Sequence, residues 1–80
     1  MYEPTPRERD VITALIEGHN TDREIASYLG IQPATVGRHW ANIFAKSGMN
    51  RRVQVALWWL TQQHERRPER IAERVEVTQP

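Results

Sequence analysis

The side chains best suited to chemistry in this sequence are concentrated between residues 32 and 46. Arg38 can donate two parallel hydrogen bonds to the edge of a guanine base, which distinguishes that base by about 1–3 kcal/mol. Neighbouring polar groups suit phosphate oxygens and the positioning of a helix on DNA, and these are Thr35, His39, Asn42 and Lys46. Gln32 and Ala34 either touch bases or merely begin the helix. The segment therefore predicts a DNA-contacting surface.

Three residues outside this segment extend the candidate surface. Thr21 is primarily a helix cap, although helix N-termini also attract phosphate. Arg51 and Arg52 stand at the start of a predicted helix, where positive charge opposes the helix dipole. An external anion would explain them, and chance surface charge is the alternative.

Catalytic and metal-binding chemistry has little support. His19, His39 and His64 lack the spacing of metal ligands, and the sequence contains no cysteine. Neither a glycine-rich phosphate loop nor a nucleophile motif is present. The carboxylates fall mainly in helix first turns, where capping accounts for them. We therefore expect no enzyme activity, no metal and no cofactor.

Four helices can be drawn to position these residues, and no segment alternates as a strand would. Capping boxes at 5–8 and 21–24 begin helices one and two, and Gly18 and Gly30 end them. Helix three starts near Gln32 and closes at Gly48. Helix four starts at 50 or 51 and is broken by a proline at 68. The predicted fold class is all-α.

Helices two and three have the arrangement of a helix-turn-helix. A short helix, a turn containing Gly30 and a second helix with a polar outer side are its signature. The two helices would be locked together by Ile25, Ala26, Leu29, Ile31 and Val36. The major groove of B-DNA admits such a second helix. Trp40 and Tyr28 are better explained as core or rim residues than as base-stacking platforms.

Helix four is apolar on more than one face, whereas a helix with a solvent-exposed outer face is usually polar on that face. An inward stripe is predicted at Val53, Ala56, Leu57 and Leu60. Adjacent positions lie about 100° apart, so two neighbouring tryptophans cannot both face one core. One should pack inward or across an edge, and the other should meet a second copy. The candidate dimer interface comprises Val55, Trp58, Trp59 and Gln62.

Length and charge allow one small domain, at residues 1–67, with a weakly helical or disordered tail at 68–80. The net charge is −3 over residues 1–31 and +5 over 32–70, which suggests one face prepared for a polyanion. Neither a signal peptide nor an apolar run of spanning length occurs. We expect a cytoplasmic protein that does not enter membranes.

At this point the sequence resembles the LuxR/GerE-type helix-turn-helix family of bacterial regulators. The resemblance rests on the strings at 6–12, 21–26, 29–31 and 35–39, with 42–43, Lys46 and Gly48, and it runs from about residue 5 to 62. It implies a four-helix domain whose third helix reads DNA and whose fourth helix pairs two copies. Only four residues precede the unit, so the chain is expected to be of the stand-alone type.

Three features depart from the family pattern. Gly37 stands where the family usually has a lysine associated with DNA contact, so base readout is expected to shift to Arg38 or the groove approach to become closer. Ser47 replaces a usual leucine. His19 and Asn20 lengthen the first loop by roughly one residue. These departures affect the DNA target more than the fold.

Two functions follow from the sequence. The first is a homodimeric transcription regulator that binds an inverted-repeat site on double-stranded DNA. The second is an adaptor that docks through helix four on RNA polymerase or another regulator. The modest net charge and Gly37 mildly favour the second.

Overall fold

The computed structural model describes residues 2–65, which form four helices. They are α1 (Pro6–Ile16), α2 (Asp22–Leu29), α3 (Pro33–Ser47) and α4 (Arg52–Glu65). No strand occurs within the described part of the chain, and the predicted all-α class is confirmed. The predicted tail at 68–80 and the last two residues of the predicted domain lie outside the described residues.

Both predicted capping boxes are present. Thr5 accepts a hydrogen bond from the Glu8 amide, and the Glu8 carboxylate accepts one from the Thr5 amide. Thr21 and Glu24 repeat the exchange at the start of α2. Because these bonds satisfy amides that the helix itself leaves unpaired, the starts of α1 and α2 are encoded locally.

Glycine ends the two helices of the helix-turn-helix. Gly30 takes the left-handed conformation at φ 73° after α2 and donates its amide to the Ala26 carbonyl. Gly48 takes the same conformation after α3, at φ 79°, and donates its amide to the Phe44 carbonyl. A side chain at either position would crowd the backbone, so glycine permits the tight turn there.

The core lies where α1 meets the other three helices and where α2 packs on α3. From α3 it receives a stripe of Val36, Trp40 and Ile43. This stripe fixes which side of α3 faces outward, since residues spaced by three and four share one helix face. The other buried apolar residues are Val11, Ile12, Ala14, Ile25, Ala26, Val55 and Trp59.

The predicted orientation of α4 is wrong. Val53, Leu57 and Leu60, expected to face inward, are 66%, 60% and 44% exposed. Val55, expected to meet a second copy, is 0% exposed within this chain. One of the two tryptophans was expected to pack inward, and Trp59, at 4% exposed, is that one. Both stripes are apolar at helical spacing, so periodicity alone could not choose between them.

The packing around the tryptophans explains the reversal. Trp59 fills the core, and Trp58 lies half-buried beside it with ring centroids 6.0 Å apart. The Tyr2 ring covers Trp58 at 5.4 Å. Large rings bury more apolar area than Val or Leu, so their side of α4 turns inward. Val55 and Trp59 are therefore removed from the candidate dimer interface.

Candidate nucleic-acid interface

The outward face of α3 lies opposite its buried stripe. At about 100° per residue, positions 34, 38, 41, 42 and 45 point away from the core. All five are exposed, and they are Ala34, Arg38, Ala41, Asn42 and Ala45. Three alanines leave this face flat, so a base edge could approach the helix closely.

Arg38 stands at the centre of this face. It is exposed, and among residues 2–65 it forms neither an ion pair nor a hydrogen bond. Its five N–H donors therefore stay available to a ligand. Asn42 follows one turn later and carries the amide group that pairs with adenine edges.

The flanks of the outward face hold three more of the residues singled out from sequence. Gln32 is exposed at the N-cap of α3, and its side chain makes no capping hydrogen bond. Thr35 and His39 are half-buried along one edge. The structure thus brings these polar side chains around Arg38 on one side of the molecule.

Lys46 has a partner within the chain. Its ammonium nitrogen lies 2.6 Å from the Glu8 carboxylate on α1. Glu8 is only 3% exposed, and it also accepts hydrogen bonds from the Tyr2 hydroxyl at 2.8 Å and the Thr5 amide at 3.0 Å. Lys46 therefore joins the end of α3 to α1, a role that sequence reasoning did not anticipate.

This cluster shifts two pKa values in opposite directions. Burial acts to raise the pKa of the Glu8 carboxyl, but hydrogen bonds from Lys46, the Thr5 amide and Tyr2 outweigh it and hold that pKa below its ordinary value. Burial, together with the bond to Glu8, raises the pKa of the Tyr2 hydroxyl. Glu8 is thus ionised and Tyr2 neutral at neutral pH.

Arg52 is also held by the chain itself. One guanidinium nitrogen lies 2.5 Å from the Asp22 carboxylate at the start of α2. The guanidinium carbon lies 5.0 Å from the centre of the Trp40 ring. Arg51, its neighbour, is exposed and makes no ion pair within residues 2–65. The two arginines expected to act together therefore differ in their surroundings.

Thr21 acts as a cap. Its hydroxyl oxygen accepts from the Glu24 amide at 3.1 Å, and its own amide donates to the Glu24 carboxylate. The capping interpretation of Thr21 is confirmed, while a phosphate contact there stays a prediction.

Sequence reasoning missed Glu8, Asp22 and Trp40 as partners of cations near α3. Glu8 and Asp22 were read only as first-turn acids, a role they also have. Their partners lie 38 and 30 positions further along the chain. The one signal in the sequence was the surplus of basic residues after position 32, which indicates that some of them pair with carboxylates from the acidic first part of the chain.

Within residues 2–65, no helix is long and apolar enough to cross a membrane. The same residues contain no cluster of three or more metal-ligating side chains.

Comparison with known proteins decides the family. The profile of GerE, described as bacterial regulatory proteins of the luxR family, matches residues 5–59. The chain belongs to the LuxR/GerE family. The resemblance predicted from the sequence motifs is therefore confirmed, and the family is one of bacterial regulatory proteins.

Curated relatives of this LuxR/GerE-family chain are named as transcriptional regulators. Proteins of Mycobacterium bovis and Mycobacterium tuberculosis, named as HTH-type transcriptional regulators, are 41% identical over 51 residues, which is 64% of this chain and 6% of theirs. The transcriptional regulatory protein YhcZ of Bacillus subtilis is 40% identical over 57 residues, 71% of this chain and 26% of its own length. The chain thus spans a small part of these relatives. No solved structure matches it.

Proposed function

We propose that the chain binds a specific sequence of double-stranded DNA by placing the outward face of α3 in the major groove. The observation that carries this proposal is the guanidinium of Arg38, which has no partner among residues 2–65 and stands at the centre of a flat, exposed helix face. Arg38 reads a guanine and Asn42 an adjacent base, while Thr35, His39, Gln32 and Ala34 position the helix. Such a regulator works in the cytoplasm, where bacterial DNA lies.

Selection from random DNA, followed by fluorescence anisotropy titrations, tests this function. Binding of the selected duplex should weaken steeply as salt rises, because cations on the protein displace counterions from phosphates. A flat salt response, or equal affinity for the selected and a scrambled duplex, would contradict sequence-specific binding.

The Arg38→Ala variant tests base readout. It should weaken binding to the selected duplex by about 1–3 kcal/mol and binding to a scrambled duplex much less. Arg9→Ala is the matched control, since Arg9 is an exposed arginine on α1 and not on the proposed recognition helix. Equal losses on both duplexes would show that Arg38 contacts only the DNA backbone.

Pairing of two copies through α4 extends the proposal. Val53, Leu57 and Leu60 lie at positions i, i+4 and i+7, so their exposed side chains form one apolar stripe. A second copy packed on this stripe would place two α3 helices in successive major grooves, about 34–36 Å apart, on an inverted repeat. Trp58 and Gln62, both half-buried, would contribute only at the edge.

Sedimentation velocity on the Leu57→Glu variant tests the dimer. A charge in the stripe should give a monomer and weaken binding to the inverted repeat, because the second half-site contact is lost. Gln54→Glu, an exposed position on the same helix, adds the same charge outside the stripe and should stay dimeric. Identical behaviour of both variants would contradict this interface.

The same apolar stripe also suits the adaptor function. An adaptor would use Leu57 and its neighbours to dock on RNA polymerase or another regulator. A chain that stays monomeric and binds no DNA until such a partner is added would favour this second function over the first.

A further inference from the structure

The guanidinium of Arg52 is restrained on two sides. The Asp22 carboxylate fixes one nitrogen, and the guanidinium carbon lies over the Trp40 ring at 5.0 Å from its centre. Arginine has five N–H donors, and the bond to Asp22 accounts for one nitrogen only. About a third of the Arg52 side chain stays exposed, so part of it can be reached by a ligand.

This restrained arginine lies beside the N-terminal half of α3. A side chain added at Gly37 would place its Cβ atom 3.5 Å from the second Asp22 oxygen. Asp22, Arg52 and Gly37 therefore form one flank of the recognition surface. Because Gly37 has no side chain, it places no atoms between the Asp22–Arg52 ion pair and an approaching DNA strand.

The flank lies where the first helix of a helix-turn-helix crosses the DNA backbone. A bare Asp22 carboxylate there would repel phosphate. Paired with Arg52, it instead leaves the local charge balanced and fixes the plane of a group that binds phosphate through two parallel hydrogen bonds.

We propose that Asp22 is a positioning residue for DNA binding, which, with Trp40, orients Arg52 so that its free N–H groups clamp a backbone phosphate beside Gly37. This inference rests on the proposed function, because it assumes that α3 enters the groove. It adds that an acidic residue at the interface favours DNA binding.

Charge alone predicts the opposite, which makes Asp22→Asn a sharp test. The variant gains one unit of positive charge, yet loss of the oriented arginine should weaken binding about tenfold. Asp10→Asn is the matched control, since Asp10 forms an exposed pair with Arg7 on α1 at 3.4 Å. It makes the same charge change and should bind DNA as tightly as the wild type or slightly more tightly.

Anisotropy titrations at several salt concentrations give a second readout. Arg52→Ala should reduce the slope of log K against log salt by about 0.9, the value for one phosphate. Asp22→Asn should move the slope in the same direction. Arg52→Lys keeps the charge but not the planar fork, so it should weaken binding about tenfold at nearly the wild-type slope. Circular dichroism at the same temperature checks that each variant is folded.

Equal or tighter DNA binding by Asp22→Asn would overturn the inference, as would an unchanged salt slope for Arg52→Ala. These results would leave the pair as a purely structural link between α2 and α4. The sequence preference of the wild type is measured separately, and its absence would refute the proposed function. The comparison of Asp22→Asn with the wild type can be made on any duplex that binds, so it would still decide whether Arg52 clamps a phosphate. A chain that binds no DNA would refute both.

Discussion

Replacing Glu8 with glutamine is the most informative perturbation of the fold, because one buried carboxylate connects three elements. It receives the Tyr2 hydroxyl, the Thr5 amide and the Lys46 ammonium group. The Thr5 amide and the Tyr2 hydroxyl donate to the same oxygen, Oε1, so a glutamine oxygen at that place can still accept from both. The NH₂ group that replaces Oε2 donates, however, and cannot accept from Lys46.

The expected loss of unfolding free energy in Glu8→Gln depends on whether Lys46 can reach water once its carboxylate is gone. Breaking a buried ion pair costs about 3–5 kcal/mol when the remaining charge stays buried. Lys46 is 46% exposed, so it can turn to water, and the loss should approach that of one charged hydrogen bond, about 1.5–3 kcal/mol. A domain of this size has a total stability of only about 4–12 kcal/mol. The melting temperature should therefore fall by roughly 10 °C.

Urea unfolding followed by tryptophan fluorescence measures this loss. Glu24→Gln is the matched control, because Glu24 holds the same position in the second capping box but bonds only to exposed backbone amides. It should cost less than about 1 kcal/mol. Equal losses from the two variants would refute the view that Lys46 makes Glu8 different from an ordinary cap.

The pH dependence of the unfolding free energy tests the contribution of the Glu8 carboxylate independently. The folded state lowers the pKa of the Glu8 carboxyl, so its contribution is present in full above the unfolded value of about 4.5 and is lost as pH falls through the folded-state value. The difference in unfolding free energy between the wild type and Glu8→Gln should therefore shrink as pH falls below 4.5. A difference that is constant from pH 7 to pH 3 would contradict the assignment.

Five further substitutions test the rest of the fold by the same unfolding measurement. Gly37→Ala should stabilise the protein by up to about 1 kcal/mol, because the added methyl group makes only an ordinary contact in a helix interior. Gly30→Ala should destabilise it by about 1 kcal/mol, because Gly30 has the left-handed backbone conformation. A change of stability with the same sign in both variants would contradict this reasoning. Trp59→Ala should cost about 3–5 kcal/mol and Leu57→Ala less than about 1 kcal/mol for the monomer, and the reverse order would restore the orientation of α4 predicted from sequence. Thr21→Ala should cost about 1 kcal/mol by removing a cap, and no change would mean that the hydroxyl is dispensable there.

Local features of the sequence were enough to predict where the helices lie. The two capping boxes and the glycines at 30 and 48 act through bonds and backbone angles within a few residues of each other. The buried stripe of α3 was equally readable, because its opposite side is polar or small. The placement of Arg38 on the outward face follows from that stripe by helix geometry alone.

Tertiary structure decided the orientation of α4 and the partners of the cations. Both faces of α4 are apolar, so only competition for space in the core, which Trp59 wins over Leu57, sets its rotation. Lys46 and Arg52 looked like free cations because their carboxylates lie on helices distant in sequence. Periodicity and capping act over a few residues, while an ion pair or a core contact between separate helices exists only once the chain has brought them together.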